Sequence, residues 1–362
     1  MPIANQLELS LLRLDDPDDM SDTDEDMPRE LSDHDIKTAL LFSPHLLHSG
    51  GNKDHSQLLP QYSLMGRVPQ RRNRTAGGMV ANEQQALGTR VFLNTDIPGS
   101  FFICGLQGSG KSHTLATLLE NYLIPSPQIG VLHRPLSVLV LHFGEYTSSQ
   151  AFRPCEAAYL ATSSTRALSS SELHLPKVKI LVPPSNYRKL AADYNREVPN
   201  ATVHPLKFDS RSLTINSMLT LMGVDRTGTP TLYMSQVSQE LREMAVESEG
   251  TEEFDYQAFK IRMEHLKKRL ENTQKTMLNQ RLQMLDAFVV DANTTEFAVG
   301  GAEGELTIVD LSCPFVDGGL ACGLFHVVIG QYLSQSSPAV GKVIAVDEAH
   351  KVRTCIRSYV YA

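Results

Sequence analysis

The chain has 362 residues, 41% of them hydrophobic, and a formal net charge of −8. This suits a globular protein of one or more domains with a sizeable core, and it argues against a generally basic, nucleic-acid-coating protein, though not against a local basic patch. Five scattered cysteines with no C-x-x-C pair argue against a disulfide framework or a zinc site and point to a reducing compartment, cytosol or nucleus. No apolar run approaches a membrane span, and the N-terminus lacks a signal-peptide pattern.

In chain order, residues 15–35 are dense in Asp and Glu and include Asp22-Thr23-Asp24-Glu25-Asp26. Such a block repels itself and buries little, so residues 1–35 are expected to be mostly disordered, a solubilising extension in preference to an interaction tail. Residues 36–90 show little apolar periodicity and carry Arg67, Arg71, Arg72 and Arg74. A solvated linker is the preferred reading there, with an import signal or a phosphate-contacting arm as the alternative. Residues 1–90 thus read as a largely disordered N-terminal region, and 91–362 as the folded domain.

Ser100-Phe101-Phe102-Ile103-Cys104 reads as a short buried strand. It leads into Gly105-Leu106-Gln107-Gly108-Ser109-Gly110-Lys111-Ser112, which fits the phosphate-loop pattern G-x-x-x-x-G-K-[ST] without a mismatch. The glycines let backbone N–H groups turn inward around phosphate oxygens. Lys111 would reach the β- and γ-phosphates, and the Ser112 hydroxyl would hold Mg²⁺. Residues 112–123 read as a helix whose N-terminus points at the phosphates. The predicted nucleotide contacts are therefore Gly105 through Ser112 together with the adjoining His113.

Residues 137–141 and 176–182 read as strands, and 201–208 as a further one. Residues 232–246 read as a helix. Residues 254–288 alternate apolar and charged residues at helical spacing, with Phe259, Met263, Leu266 and Leu270 on one face. The polar face is basic, carrying Lys260, Arg262, Lys267, Lys268 and Arg269, with Lys275 and Arg281 beyond. A solvated helix packed on the core is preferred over a nucleic-acid-binding one. This helical insertion, at about 185–290, accounts for the long gap between the phosphate loop and the next motif, and Glu247, Glu249, Glu252 and Glu253 mark a loop in it.

Lys342-Val343-Ile344-Ala345-Val346-Asp347-Glu348 reads as a buried parallel strand ending in two carboxylates, at the end where open α/β sheets bind ligands. Asp347 would hold Mg²⁺ through water and Glu348 would polarise the attacking water. The run 306–310 also ends in a carboxylate, Asp310. Asp347 is preferred as the metal carboxylate because a second acid follows it at once, and Asp310 is left at a neighbouring strand tip without a role. His113 and His350 are read as structural in preference to proton shuttles.

Between these motifs, the strand at 137–141 runs into His142-Phe143-Gly144-Glu145-Tyr146. Together with Ile308-Val309-Asp310-Leu311-Ser312 and Val346-Asp347-Glu348-Ala349-His350, in this order, it resembles the HerA branch of the HerA/FtsK-like ATPases over roughly residues 90–350. The resemblance implies a RecA-like α/β core with a mainly parallel sheet, Mg²⁺-dependent ATP hydrolysis, hexameric rings that move DNA, and an arginine contributed between subunits. Leu141 departs from the acid usual at that strand end. The N-terminal segment does not look like the small β-barrel of prokaryotic members. The family's core also continues past the metal-binding strand, with a polar sensor on a further central strand. Arg353 and Arg357 match no finger motif, so a C-terminally truncated gene product is expected.

Other classes remain beside the ATPase. A nucleotide-binding protein or fragment without turnover fits the phosphate loop equally well. Asp347-Glu348-Ala349-His350 spells a DEAH box, but the gap from Lys111 is too long for such a helicase and no Ser-Ala-Thr motif follows. A GTPase lacks its Asn-Lys-x-Asp motif.

Overall fold

The computed structural model describes residues 32–43, 57–67, 90–126, 129–144, 152–162, 175–222, 232–248, 254–290, 299–335 and 340–352. Outside the described residues lie residues 15–31 of the acidic block, Arg71, Arg72, Arg74, Glu145, Tyr146, the acids Glu249, Glu252 and Glu253, Arg353 and Arg357. The chain divides into two units, 1–39 and 40–362. In the first, helix α1 (Asp33–Thr38) starts on a capping box: the Ser32 hydroxyl accepts from the Asp35 N–H while the Asp35 carboxylate accepts from the Ser32 N–H. Two orphan donors of the first turn are satisfied in this way.

The second unit holds a small antiparallel sheet of β1 (Leu41–Phe42), β2 (Tyr62–Arg67), β3 (Arg90–Asn94) and β4 (Gly130–Val131), in the order β1-β3-β2-β4. Phe42, Phe92 and Tyr62 form a ring cluster across it. Residues 36–90 were expected to be linker, yet β1 and β2 lie within them. Their strands are too short to show periodicity and are defined by partners distant in sequence.

The main sheet is parallel throughout. It contains β5 (Ser137–His142), β6 (Lys177–Val182), β7 (Thr202–Pro205), β10 (Glu305–Asp310) and β11 (Lys342–Asp347), in the order β11-β5-β10-β6-β7. A separate parallel pair joins β8 (Phe208–Asp209) to β9 (Val289–Val290). A parallel sheet buried on both faces requires apolar residues at successive positions, and the β5 run Val138-Leu139-Val140-Leu141 supplies them. Val138 and Val140 face a cluster shared with Ile180, Ile308 and helices α2 (Lys111–Leu123) and α3 (Tyr187–Glu197). Leu139 and Leu141 face the opposite cluster, shared with Leu181, Val309 and helix α8 (Gly318–Gln335). This layered α/β arrangement is the expected RecA-like core.

The same second cluster takes in the helical region α4 (Ile215–Leu221), α5 (Leu232–Glu247), α6 (Tyr256–Arg269) and α7 (Asn272–Phe288). The helical pattern read over 254–288 is broken between α6 and α7. Leu270 is extended, and Glu271 opens a new helix through a capping box with Gln274. Phe259, Met263, Leu266 and Leu270 are all buried, as their spacing requires. The basic face of α6 is largely turned to acids. Arg262 pairs with Glu240, Glu243 and Glu247 of α5, Arg269 with Glu240, Lys260 with Asp286, and Lys267 with Glu264. It reads as a helix-to-helix ion-pair network and not as an open polyanion surface.

Two expectations about strands fail. Residues 100–104 form no strand, and Phe102 is 90% exposed. Strand β11 is not buried throughout: it forms the sheet edge among the described residues, and Ile344 is 38% exposed. A neighbour on the outer side of β11 would cover Ile344, and none lies there among the described residues.

Candidate functional site

The phosphate-loop sequence 105–112 precedes and opens α2 as its spacing predicts, beginning one residue earlier at Lys111. Gly108 and Gly110 have φ of 77° and 89°. Only glycine holds that region without strain, and alternation with such residues turns neighbouring N–H groups to one side, forming an anion-binding nest. Gly105 leaves room for the Ser109 side chain: a Cβ there would lie 2.4 Å from Ser109 Oγ, and the serine would have to turn away. Gly110 is the N-cap of α2 and provides no side-chain cap, so the first-turn N–H groups are left for a ligand or water. The Ser109 N–H donates to the Leu106 carbonyl at 3.1 Å. Lys111 Nζ donates to the same carbonyl at 3.0 Å, folding the ammonium back over its own loop. Gln107 and His113 are exposed, and Ser112 is half-buried.

The direction of α2 follows from its other end. The Leu136 N–H, at the start of β5, donates to the Tyr122 carbonyl in the last turn of α2 at 2.8 Å. Helix and strand therefore run antiparallel. A 13-residue helix and a six-residue strand are each roughly 20 Å long. The phosphate loop consequently lies toward the C-terminal edge of the sheet.

That edge carries three titratable side chains in a row. Register pairs Asp310 with His142 and His142 with Asp347, on β10, β5 and β11. His142 Nδ1 lies 3.2 Å from Asp347 Oδ2, and the two side chains are 13% and 15% exposed. Asp347 Oδ1 accepts the Glu348 N–H at 3.0 Å. Asp310 is fully buried and held by the Tyr194 hydroxyl at 2.6 Å and by the Ser312 N–H at 2.9 Å. Its role is thus to anchor Tyr194 and the turn after β10. Cys155, also buried, has its thiol 4.0 Å from Asp347 Oδ2 and its N–H 3.3 Å from the Tyr194 oxygen.

Glu348 has φ of 55°, the left-handed value of a non-glycine residue, which costs about 1–2 kcal/mol. Its carboxylate pairs with His350 Nδ1 at 3.3 Å and Lys351 Nζ at 3.8 Å. Among the described residues no hydrogen bond or ion pair joins Lys111, Ser112 or His113 to Asp347 or Glu348. The two halves lie toward the same sheet edge with no polar bond between these side chains.

The family described as Helicase HerA, central domain, matches residues 77–318. The chain belongs to the HerA central-domain family. HerA-family proteins are P-loop ATPases, which agrees with the phosphate loop and the parallel sheet. The matched span covers the loop, β5, Cys155, Tyr194 and Asp310, and stops before Asp347 and Glu348. No curated protein matches this HerA-family chain. No helix among its described residues is long and apolar enough to cross a membrane.

His142, Cys155 and Tyr194 received no role from the sequence. His142 was visible as a polar residue ending an apolar strand next to Asp347 only once the register was known. Cys155 and Tyr194 left no signal in their own neighbourhoods.

The electrostatics of the edge set a pH dependence. Burial favours neutral His142, but the charges of Asp310 and Asp347 and the Asp347 hydrogen bond outweigh it and raise the pKa. Burial favours protonated Asp347, but the His142 hydrogen bond and charge outweigh it and lower the pKa. The raised histidine contributes stability fully below its unfolded value of about 6.5 and loses it as pH rises through the folded value. The lowered carboxylate contributes above its unfolded value of about 3.9 and loses it as pH falls through the folded value. In metal-chelating buffer, melting temperature is therefore expected to fall as pH rises past the histidine's folded pKa. A His142→Gln variant should lack that alkaline step; a step of unchanged size in the variant would contradict this assignment.

Proposed function

We propose that the chain binds ATP with Mg²⁺ on the loop 105–112 and hydrolyses it. What supports this reading most is the placement of an uncapped, glycine-built helix N-terminus at the sheet edge that also presents Asp347. The loop N–H groups and the first turn of α2 bind the phosphates, and Lys111 leaves the Leu106 carbonyl to reach the β- and γ-phosphates. Ser112 and Asp347 fit a hard cation: one is a hydroxyl on the first turn, the other a part-buried carboxylate whose lowered pKa keeps it ionised. Mg²⁺ held there would neutralise charge on the phosphate oxygens. His142 orients the Asp347 carboxylate. Glu348, fixed in a strained conformation, aligns and polarises the attacking water.

Two further elements of the proposal rest on family likeness: an arginine supplied by a neighbouring subunit of a homo-hexamer, and DNA as the moved polymer. A binding protein without turnover is the second reading. It is favoured by the pairing of the Glu348 carboxylate with Lys351 and His350, which ties its Oε2 to the turn that follows. Steady-state ATP hydrolysis by the full chain with Mg²⁺, with and without DNA, separates these readings. Turnover supports the ATPase, and its stimulation by DNA supports translocation. Tight ATP binding with no turnover in either condition would overturn hydrolysis and leave the second reading.

A further inference from the structure

A second kind of ligand fits the same sheet edge. One ligand atom from each of His142, Cys155 and Asp347 lies within 4.8 Å of the other two. The nitrogen–oxygen separation is 3.2 Å and the sulfur–oxygen separation is 4.0 Å. A tetrahedral Zn²⁺ with ordinary bond lengths requires ligand atoms about 3.3–3.6 Å apart. The nitrogen and oxygen already stand at nearly that distance, and the sulfur must move closer to both, by about 0.4 Å toward the oxygen.

We propose that His142, Cys155 and Asp347 form a three-ligand site for a thiophilic divalent ion of the Zn²⁺ type, with the fourth position open. One imidazole, one thiolate and one carboxylate favour such an ion over Mg²⁺, which takes oxygen donors. The surroundings are those of a supported site. The Cys155 N–H rests on the Tyr194 hydroxyl, which donates to buried Asp310, and Asp310 lies in register beside His142. Outer groups of this kind hold ligands in place and are worth about 10–100-fold in metal affinity. Without the ion, burial and the nearby Asp347 charge keep Cys155 as a neutral thiol. Binding the ion therefore releases to solvent the thiol proton, and the ring proton of His142 wherever the imidazole is protonated, and forms the metal–sulfur and metal–nitrogen bonds.

The site shares Asp347 with the proposed Mg²⁺–ATP site, but it stands on its own geometry and does not depend on ATP binding. If both readings hold, the two ions compete for one carboxylate, and a thiophilic ion blocks the nucleotide site.

The test uses Co²⁺ alone as a probe of the full chain under reducing conditions, followed by absorption. The expected result is one equivalent bound, with tetrahedral ligand-field bands and a thiolate-to-cobalt charge-transfer band, both displaced by Zn²⁺. In Cys155→Ser the charge-transfer band should vanish. Because that change sits in the core, His142→Gln, which keeps every cysteine, is measured beside it and should weaken Co²⁺ at least about tenfold. Absence of the band in the unmodified chain would overturn the proposal. So would its persistence in Cys155→Ser, or unchanged Co²⁺ affinity in His142→Gln.

Discussion

Replacing Glu348 by glutamine is expected to lower ATP turnover by about 10²–10⁴-fold, the usual weight of a positioned general base, while leaving ATP affinity within a few-fold of the parent. The expectation comes from two observations. Glu348 follows directly on Asp347, and it holds a φ of 55° that no other non-glycine among the described residues adopts. Strain of that kind persists where surrounding structure enforces it, often at functional sites. It also separates a catalytic role from a structural one. Glycine relieves left-handed strain, so Glu348→Gly is expected to raise stability by about 0.5–1 kcal/mol while abolishing turnover. The lost contacts to His350 and Lys351 subtract little, because pairs that exposed contribute weakly. Chemical denaturation and steady-state hydrolysis on the same preparations check both halves. A glycine variant that is less stable, or a glutamine variant with full turnover, would remove Glu348 from the mechanism.

The second large effect is expected at Lys111. Its ammonium is the only side-chain cation in the loop sequence 105–112, and its hydrogen bond to Leu106 is made to a neutral carbonyl. Exchanging that partner for a phosphate oxygen gives a charge-assisted bond of about 1.5–3 kcal/mol. Lys111→Ala should therefore weaken ATP binding roughly 10–150-fold by the same range, and lower turnover about 10²–10³-fold. Removing Lys111 leaves Gly108, Gly110 and the α2 N-terminus intact, so the fold should melt normally. Equilibrium binding of ATP to parent and variant checks this. Equal affinity would mean that the loop is not the phosphate site.

These effects rest on features with very different visibility in the sequence. The loop 105–112 was legible because its chemistry is local: glycines that require φ above zero, a lysine and a serine at fixed spacing, followed by one amphipathic helix. The strands β5, β6, β10 and β11 were legible as apolar runs for the same reason. An apolar run does not say how many neighbours a strand has, however. That is why β11 was read as buried, when it is the sheet edge among the described residues with Ile344 38% exposed, and why residues 100–104 were read as a strand although they form none. The basic face of α6 looked open because the acids that neutralise it, Glu240, Glu243 and Glu247, belong to another helix. The cluster of His142, Cys155 and Asp347 was the least legible. Cys155 and Asp347 stand 192 residues apart and His142 and Asp347 stand 205 apart. Only parallel register and the Tyr194–Asp310 support bring them together. The argument against a zinc site drew on cysteine spacing, and spacing is blind to ligands assembled from separate elements.

The loop 105–112 and Asp347 are proposed to act as one Mg²⁺–nucleotide site although no hydrogen bond or ion pair joins their side chains among the described residues. The most direct measurement is ATP affinity with and without Mg²⁺, in the parent chain and in Asp347→Asn. The account predicts that Mg²⁺ tightens ATP binding to the parent, and that the variant keeps the metal-free affinity but loses most of the Mg²⁺ gain. An Asp347→Asn chain whose Mg²⁺ gain equals that of the parent would contradict it and detach β11 from the nucleotide.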